Sequence, residues 1–233
     1  MIAGLQKMTL LDFPGKVACT LFLQGCNYRC PFCHNSGLLA GKGEPYMSTE
    51  EFFKFLTSRK GLLDGVCVTG GEPTLTPDLR ELLQGIKALG FAVKLDTNGS
   101  RPAVLKDLVQ AGLVDYVAMD VKNSPNRYPE TVGCKAELEA LEESLRFLME
   151  DPVAYELRTT LVLPLHDDAS ILEMGQWLAG LTPGKKPAQL YLQTFVDRDS
   201  VLFSGLSAPA EDTVLRWADT LSQYIGKIAV RGK

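Results

Sequence analysis

Six short apolar runs, each followed by a stretch of helical period, leave this chain of 233 residues few ways to fold. Residues 17–23, 66–68, 91–95, 114–119, 154–162 and 189–193 read as buried strands, because they are short, continuous and rich in β-branched or aromatic side chains. Between them the apolar residues recur at helical spacing. Ser48 is placed to cap a helix carrying Phe52, Phe53 and Leu56 on one face, with Glu51 completing a capping box. Thr76-Pro77 reads as the start of a second helix, with a cap and a proline in its first turn, and Gly90 as its end. Further helical patterns lie near 101–112, 136–150, 169–180 and 211–225. Parallel neighbours need a crossover, so strict alternation predicts a parallel sheet with helices outside. An α/β chain of this kind closes part-way into a barrel or stays an open doubly wound sheet. In both, ligands gather at the C-terminal ends of the strands.

The unusual polar residues fall at those ends. Thr69-Gly70-Gly71-Glu72-Pro73 follows the second strand, Asp96-Thr97-Asn98-Gly99 ends the third, and Asp120-Val121-Lys122 ends the fourth. Each alone reads as a turn or a cap. Together, at one end of successive strands, they read as a binding site.

The first strand runs into Gln24-Gly25-Cys26-Asn27-Tyr28-Arg29-Cys30-Pro31-Phe32-Cys33-His34-Asn35. Gly, Asn, Arg and Pro around these cysteines offer no apolar core to bury them. Cys19, Cys67 and Cys134 instead lie in or beside apolar stretches and read as small hydrophobes. Three closely spaced thiolates without a fourth can hold an iron-sulfur cluster and leave one iron open, since closed clusters use four. Zinc with His34 as fourth ligand is the competing use, but adjacent Cys33 and His34 suit one tetrahedral ion poorly and no second ligand pair follows.

Cys26-x3-Cys30-x2-Cys33, with Phe32 before the last cysteine, resembles the signature of radical S-adenosylmethionine (SAM) enzymes. His34-Asn35 and Gln24-Gly25 narrow the likeness to activating enzymes of glycyl-radical enzymes. The opening Gly4-Leu5-Gln6-Lys7 and Leu11-Asp12-Phe13-Pro14-Gly15-Lys16 are similar to activating proteins of anaerobic ribonucleoside-triphosphate reductase. The resemblance implies a partial (β/α)6 barrel of TIM type, formed by one radical SAM domain over residues 1–233. It implies a [4Fe-4S] cluster on Cys26, Cys30 and Cys33, with SAM on the open iron. Gly70 and Gly71 would receive the methionyl amine of SAM while Glu72 fixes their loop. Asp96, Thr97 and Asp120 would hold a monovalent cation beside the SAM carboxylate. Lys122 and Arg158 would supply positive charge or ribose hydrogen bonds. His34, Asn35, Asn98 and the backbone near Phe32 would complete the cofactor contacts, the last at the adenine edge. Reductive cleavage of SAM to a 5'-deoxyadenosyl radical would then draw a hydrogen from a glycine of the partner. That step needs no acid-base residue, and His166-Asp167-Asp168 reads as a helix cap, leaving the catalytic set empty.

The composition agrees with an enzyme of the reducing cytoplasm. A net charge of -4 with only Lys185-Lys186 as a basic run gives no nucleic-acid footprint, and no apolar segment is long enough to span a membrane. No second cysteine array follows Cys33, so the electron is expected from an external donor such as flavodoxin or ferredoxin. Residues 209–233 read as an amphipathic helix and a short end, and no large lid is expected over the strand ends. A radical SAM enzyme of a small molecule or peptide is the second reading, and a non-enzymatic iron-sulfur or zinc protein the third.

Overall fold

The computed structural model describes residues 1–39 and 44–231. Eight strands form one sheet in sequence order: β1 (Ile2–Thr9), β2 (Ala18–Leu23), β3 (Gly65–Gly70), β4 (Ala92–Thr97), β5 (Tyr116–Asp120), β6 (Ala154–Leu161), β7 (Gln189–Thr194) and β8 (Lys227–Arg231). β1 pairs antiparallel with β2, and every later pair is parallel. β1 and β8 are not paired with each other, so the barrel stays open. Among the described residues seven α-helices connect or flank the strands: α1 (Thr49–Ser58), α2 (Leu79–Ala88), α3 (Pro102–Gln110), α4 (Tyr128–Val132), α5 (Leu138–Met149), α6 (Asp168–Gly180) and α7 (Glu211–Ser222). Among the described residues no helix is long and apolar enough to cross a membrane.

The six strand-helix units expected from the alternation are all present. The Ser48 capping box forms as expected, with its hydroxyl accepting from Glu51 N and the Glu51 carboxylate accepting from Ser48 N. Asp167 makes the equivalent cap on α6, satisfying its exposed donors through Ser170. Three expectations change. Thr76 does not cap α2, which begins at Leu79 after a 3-10 turn at Pro73–Leu75. The stretch after α7 is more than a short end, because it adds β8 as a seventh parallel strand; residues 232–233 lie outside the described residues. Cys134 is not an interior cysteine: it is half-buried, and its thiol faces Asn27 O at 3.5 Å.

The sheet's two faces differ in chemistry. Outward residues Val66, Val68, Val93, Leu95, Val117, Met119, Leu157, Leu190 and Leu192 are fully buried under helix side chains such as Phe52, Leu83, Leu105, Leu145 and Met174. Each large apolar side chain removed from water contributes about 1.5–3 kcal/mol, so this outer layer supplies most of the driving force. The inward positions, alternating by the two-residue strand period, carry polar groups: Cys67 and Thr69 on β3, Lys94 and Asp96 on β4, Asp120 on β5, Glu156, Arg158 and Thr160 on β6, and Gln193 on β7. At the strand starts, buried Phe13 packs against Gly65 and the Tyr116 ring, and Asp12 accepts from Thr20 Oγ1. The loop between β1 and β2 thus covers that end. The cavity among the described residues lies at the other.

Candidate active site

A cavity of about 250 Å³ lies at the C-terminal strand ends, and Cys26, Cys30 and Cys33 all border it. Their loop is clamped by its neighbours. Arg29 N donates to Val132 O at the end of α4 (2.8 Å), and the Arg29 guanidinium closes on Cys26 O (2.6 Å) and Tyr28 O (2.7 Å). Asn27 is tied to Ser100 and Asn98 beyond β4, each at 2.9 Å. Asn35 donates to Gly70 O at 3.0 Å. On the far side, the His34 ring stacks on Phe195 with its Nε2 at 2.6 Å from Val196 O, and Ser36 Oγ donates to Ser200 O.

The His34 Nε2 and ring face are engaged by the segment after β7, which orients the ring. Among the described residues, no three or more His, Cys, Asp or Glu side chains are grouped as a single metal ion requires. Three thiols around one cavity suit a multi-atom cluster. Burial pushes the Cys30 thiol up to about 12, against the opposing pull of Lys122, and burial likewise raises Cys26. Only coordination would make such thiols thiolates at neutral pH, so loading a cluster here releases protons.

Gly70 and Gly71 are required by close approach to the cysteine loop itself. A Cβ on Gly70, which has φ of +124°, would stand 2.2 Å from Leu23 O; one on Gly71 would stand 2.0 Å from Gly25 O. Both distances are impossible for a real side chain. Gly71 N and Glu72 N then donate to Leu23 O (2.9 Å) and Gly25 O (2.7 Å). Glu72 does not border the cavity. Its buried carboxylate accepts from Thr74 N (3.0 Å), Thr74 Oγ1, Thr97 Oγ1 (2.8 Å) and Asn98 N (2.6 Å), which sets the Asp96–Asn98 segment. Burial raises its pKa, and the four donors only partly offset that.

Asp96 and Asp120 are bridged by one guanidinium. Arg158 donates from Nη1 to Asp96 Oδ2 (3.0 Å) and from Nε to Asp120 Oδ1 (2.8 Å). Lys122 Nζ takes the second Asp120 oxygen at 2.9 Å, and Lys94 Nζ takes the second Asp96 oxygen. Burial pushes both carboxyls up, but Arg158 first and then the lysines more than reverse it, so both stay below the usual carboxylate range. Lys122 also lies 5.9 Å from the centre of the buried Phe32 ring, joining this network to the cysteine loop.

All the sequence-selected residues except Glu72 border the cavity. Thr69, noted with the Gly70-Gly71 run, is on its wall, and the sites selected from sequence left out Tyr28, Leu39, Thr160 and Gln193 there and Lys94 beneath it. Lys94 had a signal: a charge two residues before Asp96 within an apolar strand must share its face. His166 does not border the cavity. It is buried with Nε2 2.9 Å from Lys122 O and Nδ1 against Val162, and burial lowers its pKa, so it props the strand end as a neutral ring.

The profile of the Radical SAM superfamily matches residues 20–178, from β2 through α6. The chain belongs to the radical SAM superfamily. A protein of Methanocaldococcus jannaschii, named provisionally as a glycyl-radical enzyme activating enzyme, is 30% identical over 99% of this chain and 95% of its own length. A protein of Thermococcus kodakarensis, named provisionally as a GTP 3',8-cyclase, is 37% identical over 62% of this chain and 47% of its own length. A domain of the pyruvate-formate lyase-activating enzyme from Bacteroides vulgatus superposes with a TM-score of 0.58 at 21% identity, covering 72% of this chain and 99% of that domain, a likeness of fold. Superfamily membership implies a [4Fe-4S] cluster and SAM, and the donor set of three thiols beside a basic network fits both. The protein is a radical SAM enzyme, and its relatives include activating enzymes and a cyclase.

Proposed function

We propose that this radical SAM enzyme is an activase that installs a glycyl radical on a partner, and that the partner is an anaerobic ribonucleoside-triphosphate reductase. The observation that carries the first part is the division of the cavity: three thiols on one wall, and on the other a basic network with one cation more than it has carboxylates. The full-length likeness to a relative named as an activating enzyme supports it. The partner rests on the opening run from Gly4 to Lys16. When bound, the cluster and SAM supply a 5'-deoxyadenosyl radical by reductive cleavage, with the electron drawn from an external donor such as flavodoxin or ferredoxin.

The chain's own work is positioning and exclusion of water. Cys26, Cys30 and Cys33 hold the cluster on a loop locked by α4, Asn98 and Phe195. Gly70 and Gly71 present backbone toward the methionyl amine, and their fit against Leu23 and Gly25 fixes that backbone relative to the cysteines. Arg158 and Lys122 attract the carboxylate; Asn35, Thr97 and Asn98 line the remaining polar edge; and the Phe32 region meets the adenine. His34 acts at one remove, by pinning the loop to the segment after β7. That segment, residues 195–208, is a strap over the cysteine loop that sequence reading did not foresee, and it leaves the cavity mouth open. A partner loop would close that mouth and exclude water. We treat residues 1–233 as one domain, supported by a single sheet running from Ile2 to Arg231.

The test is anaerobic. Reconstituted protein with SAM and reductant should cleave SAM slowly alone. With the reductase it should cleave faster and yield a glycine-centred doublet by electron paramagnetic resonance. A second reading, action on a small molecule, is favoured by the cyclase-named relative and by Thr160 and Gln193 on the wall, whose mutual contact is a long 3.5 Å. It replaces the first if a metabolite, and not the reductase, drives stoichiometric 5'-deoxyadenosine formation.

A further inference from the structure

The family resemblance places a monovalent cation beside Asp96 and Asp120, and the side chains found there do not fit one. Two carboxylates present four oxygens, and all four already face a nitrogen cation of the chain: Lys94 and Arg158 on Asp96, Arg158 and Lys122 on Asp120. A shared metal ion would have to sit between the two aspartates, where the Arg158 guanidinium spans them. Three cations against two carboxylates also leave one positive charge in excess. Bringing a further cation into so enclosed a group meets net repulsion, weakly screened away from bulk water. An anionic ligand meets the opposite.

Lys94 is the residue that tips this balance. Without it the group would hold two of each charge, and one Asp96 oxygen would keep only the Cys67 thiol, at 3.7 Å. Its side chain is 2% exposed, with Asp96 and the Cys67 thiol, 3.8 Å away, as its polar neighbours. A buried ammonium is retained only where a counter-charge holds it, and Asp96 does so.

We infer that the Lys94 ammonium takes the place of an alkali metal ion, so that this chain engages a ligand carboxylate through its own cations and its SAM affinity is independent of Na⁺ and K⁺. The inference rests on the reading that the cavity takes SAM. Lys94 is a positioning residue in it, acting through Asp96 and Arg158 rather than by contact with SAM.

The experiment measures SAM binding to the reconstituted full-length protein by equilibrium dialysis in choline, sodium and potassium chloride at matched ionic strength. Crystals of the cluster-free protein are soaked with Tl⁺ in parallel. Wild type should bind SAM equally in the three salts, within about twofold, and show no anomalous peak between Asp96 and Asp120. Lys94→Ala should lose about tenfold in affinity in choline, regain much of it in sodium or potassium, and acquire a Tl⁺ peak on Asp96. Lys94→Arg should keep the wild-type pattern. Affinity in wild type that rises about tenfold with K⁺ or Na⁺, or a wild-type Tl⁺ peak at the aspartates, would overturn the inference, as would a Lys94→Ala protein with unchanged affinity in choline. If Lys94→Ala does not fold, the wild-type salt series and Tl⁺ soak still decide. Wild type that binds no SAM in any salt would instead sink the reading of the cavity, while the Tl⁺ soak still answers for the cation.

Discussion

Two ionic groups share the polar interior of this barrel, and they are balanced differently. Deeper, two residues before Arg158 on β6, Glu156 is 1% exposed and meets one charged partner: Arg231 donates to both its oxygens at 2.9 and 2.8 Å, with Tyr116 OH donating at 3.1 Å. Arg231 lies 3.4 Å from the centre of the Tyr191 ring, which fixes the guanidinium plane. That pair is neutral and complete. At the strand ends, Asp96 and Asp120 meet Lys94, Arg158 and Lys122, and one positive charge is left over. A neutral pair satisfies the fold, whereas an unbalanced group beside a cavity is poised for a ligand.

The largest expected effect comes from removing the shared cation of the upper group. Arg158→Leu leaves two buried carboxylates with one lysine each, and breaking a buried pair from one side costs about 3–5 kcal/mol. Urea unfolding should show that loss, and SAM binding should disappear with it. Stability near wild type would mean that the two lysines suffice and that Arg158 serves the ligand alone.

Arg231→Met should be milder and should separate the two groups. Arg231 is 35% exposed, so the pair is partly screened and its loss is put at about 2 kcal/mol, the range of a hydrogen bond to a charged group. SAM affinity should stay at the wild-type value. A loss of SAM binding equal to that of Arg158→Leu would mean that the two groups are one coupled network.

This contrast also marks what could be read from the sequence. The six strand-helix units were legible because outward residues such as Val66, Val93 and Leu157 are continuously apolar under the helices. The cysteine loop and the polar strand ends were legible because turn chemistry at three successive strands converges by topology. Glu156 was harder than Lys94: Lys94 shares its strand face with Asp96 two residues on, whereas the partner of Glu156, Arg231, lies 75 residues away on β8 and meets it only through the curvature of the sheet. β8 escaped notice because Lys227–Arg231 is short and half-exposed at an open edge, so it lacks the buried pattern of the other strands. For Gly70 and Gly71 the emphasis shifts for a related reason: both border the cavity, as the sequence suggests, and a Cβ on either would in addition strike Leu23 or Gly25.

That shift makes a third prediction, which asks how rigidly the cysteine wall is tied to the rest. Gly71→Ala puts a Cβ into Gly25 O and should push the cysteine loop away from β3. Iron bound on reconstitution should fall well below the about four per chain expected of a [4Fe-4S] cluster. By contrast, Cys19→Ala and Cys67→Ala should leave it intact, and any change of Cys26, Cys30 or Cys33 to Ala should abolish SAM cleavage. Full iron with weakened SAM binding in Gly71→Ala would mean that the contact with Gly25 is not what holds the cysteine loop in place.

The smallest effect lies in acid, where the carboxylates of the cavity wall titrate. Asp120 is held below its ordinary value of 3.8, so the folded state binds its proton more weakly than the unfolded chain does. The stability this confers is fully present above about pH 3.8 and is lost as pH falls below it, toward the depressed folded value. Glu72 runs the other way. Its pKa is raised from 4.5, so the folded state prefers the protonated form and stability declines as pH rises through the raised value. Urea midpoints measured from about pH 3 to pH 7 should therefore show two opposed slopes. Asp120→Asn should make the acid limb shallower, with Asp96 keeping part of it, while leaving the upper one, and Glu72→Gln should flatten the upper limb at a cost of about 1–3 kcal/mol, since an amide cannot accept from all four donors. If Asp120→Asn leaves the acid limb unchanged, the stabilising charge resides on Asp96 through Lys94, and the two aspartates of the bridge are not equivalent.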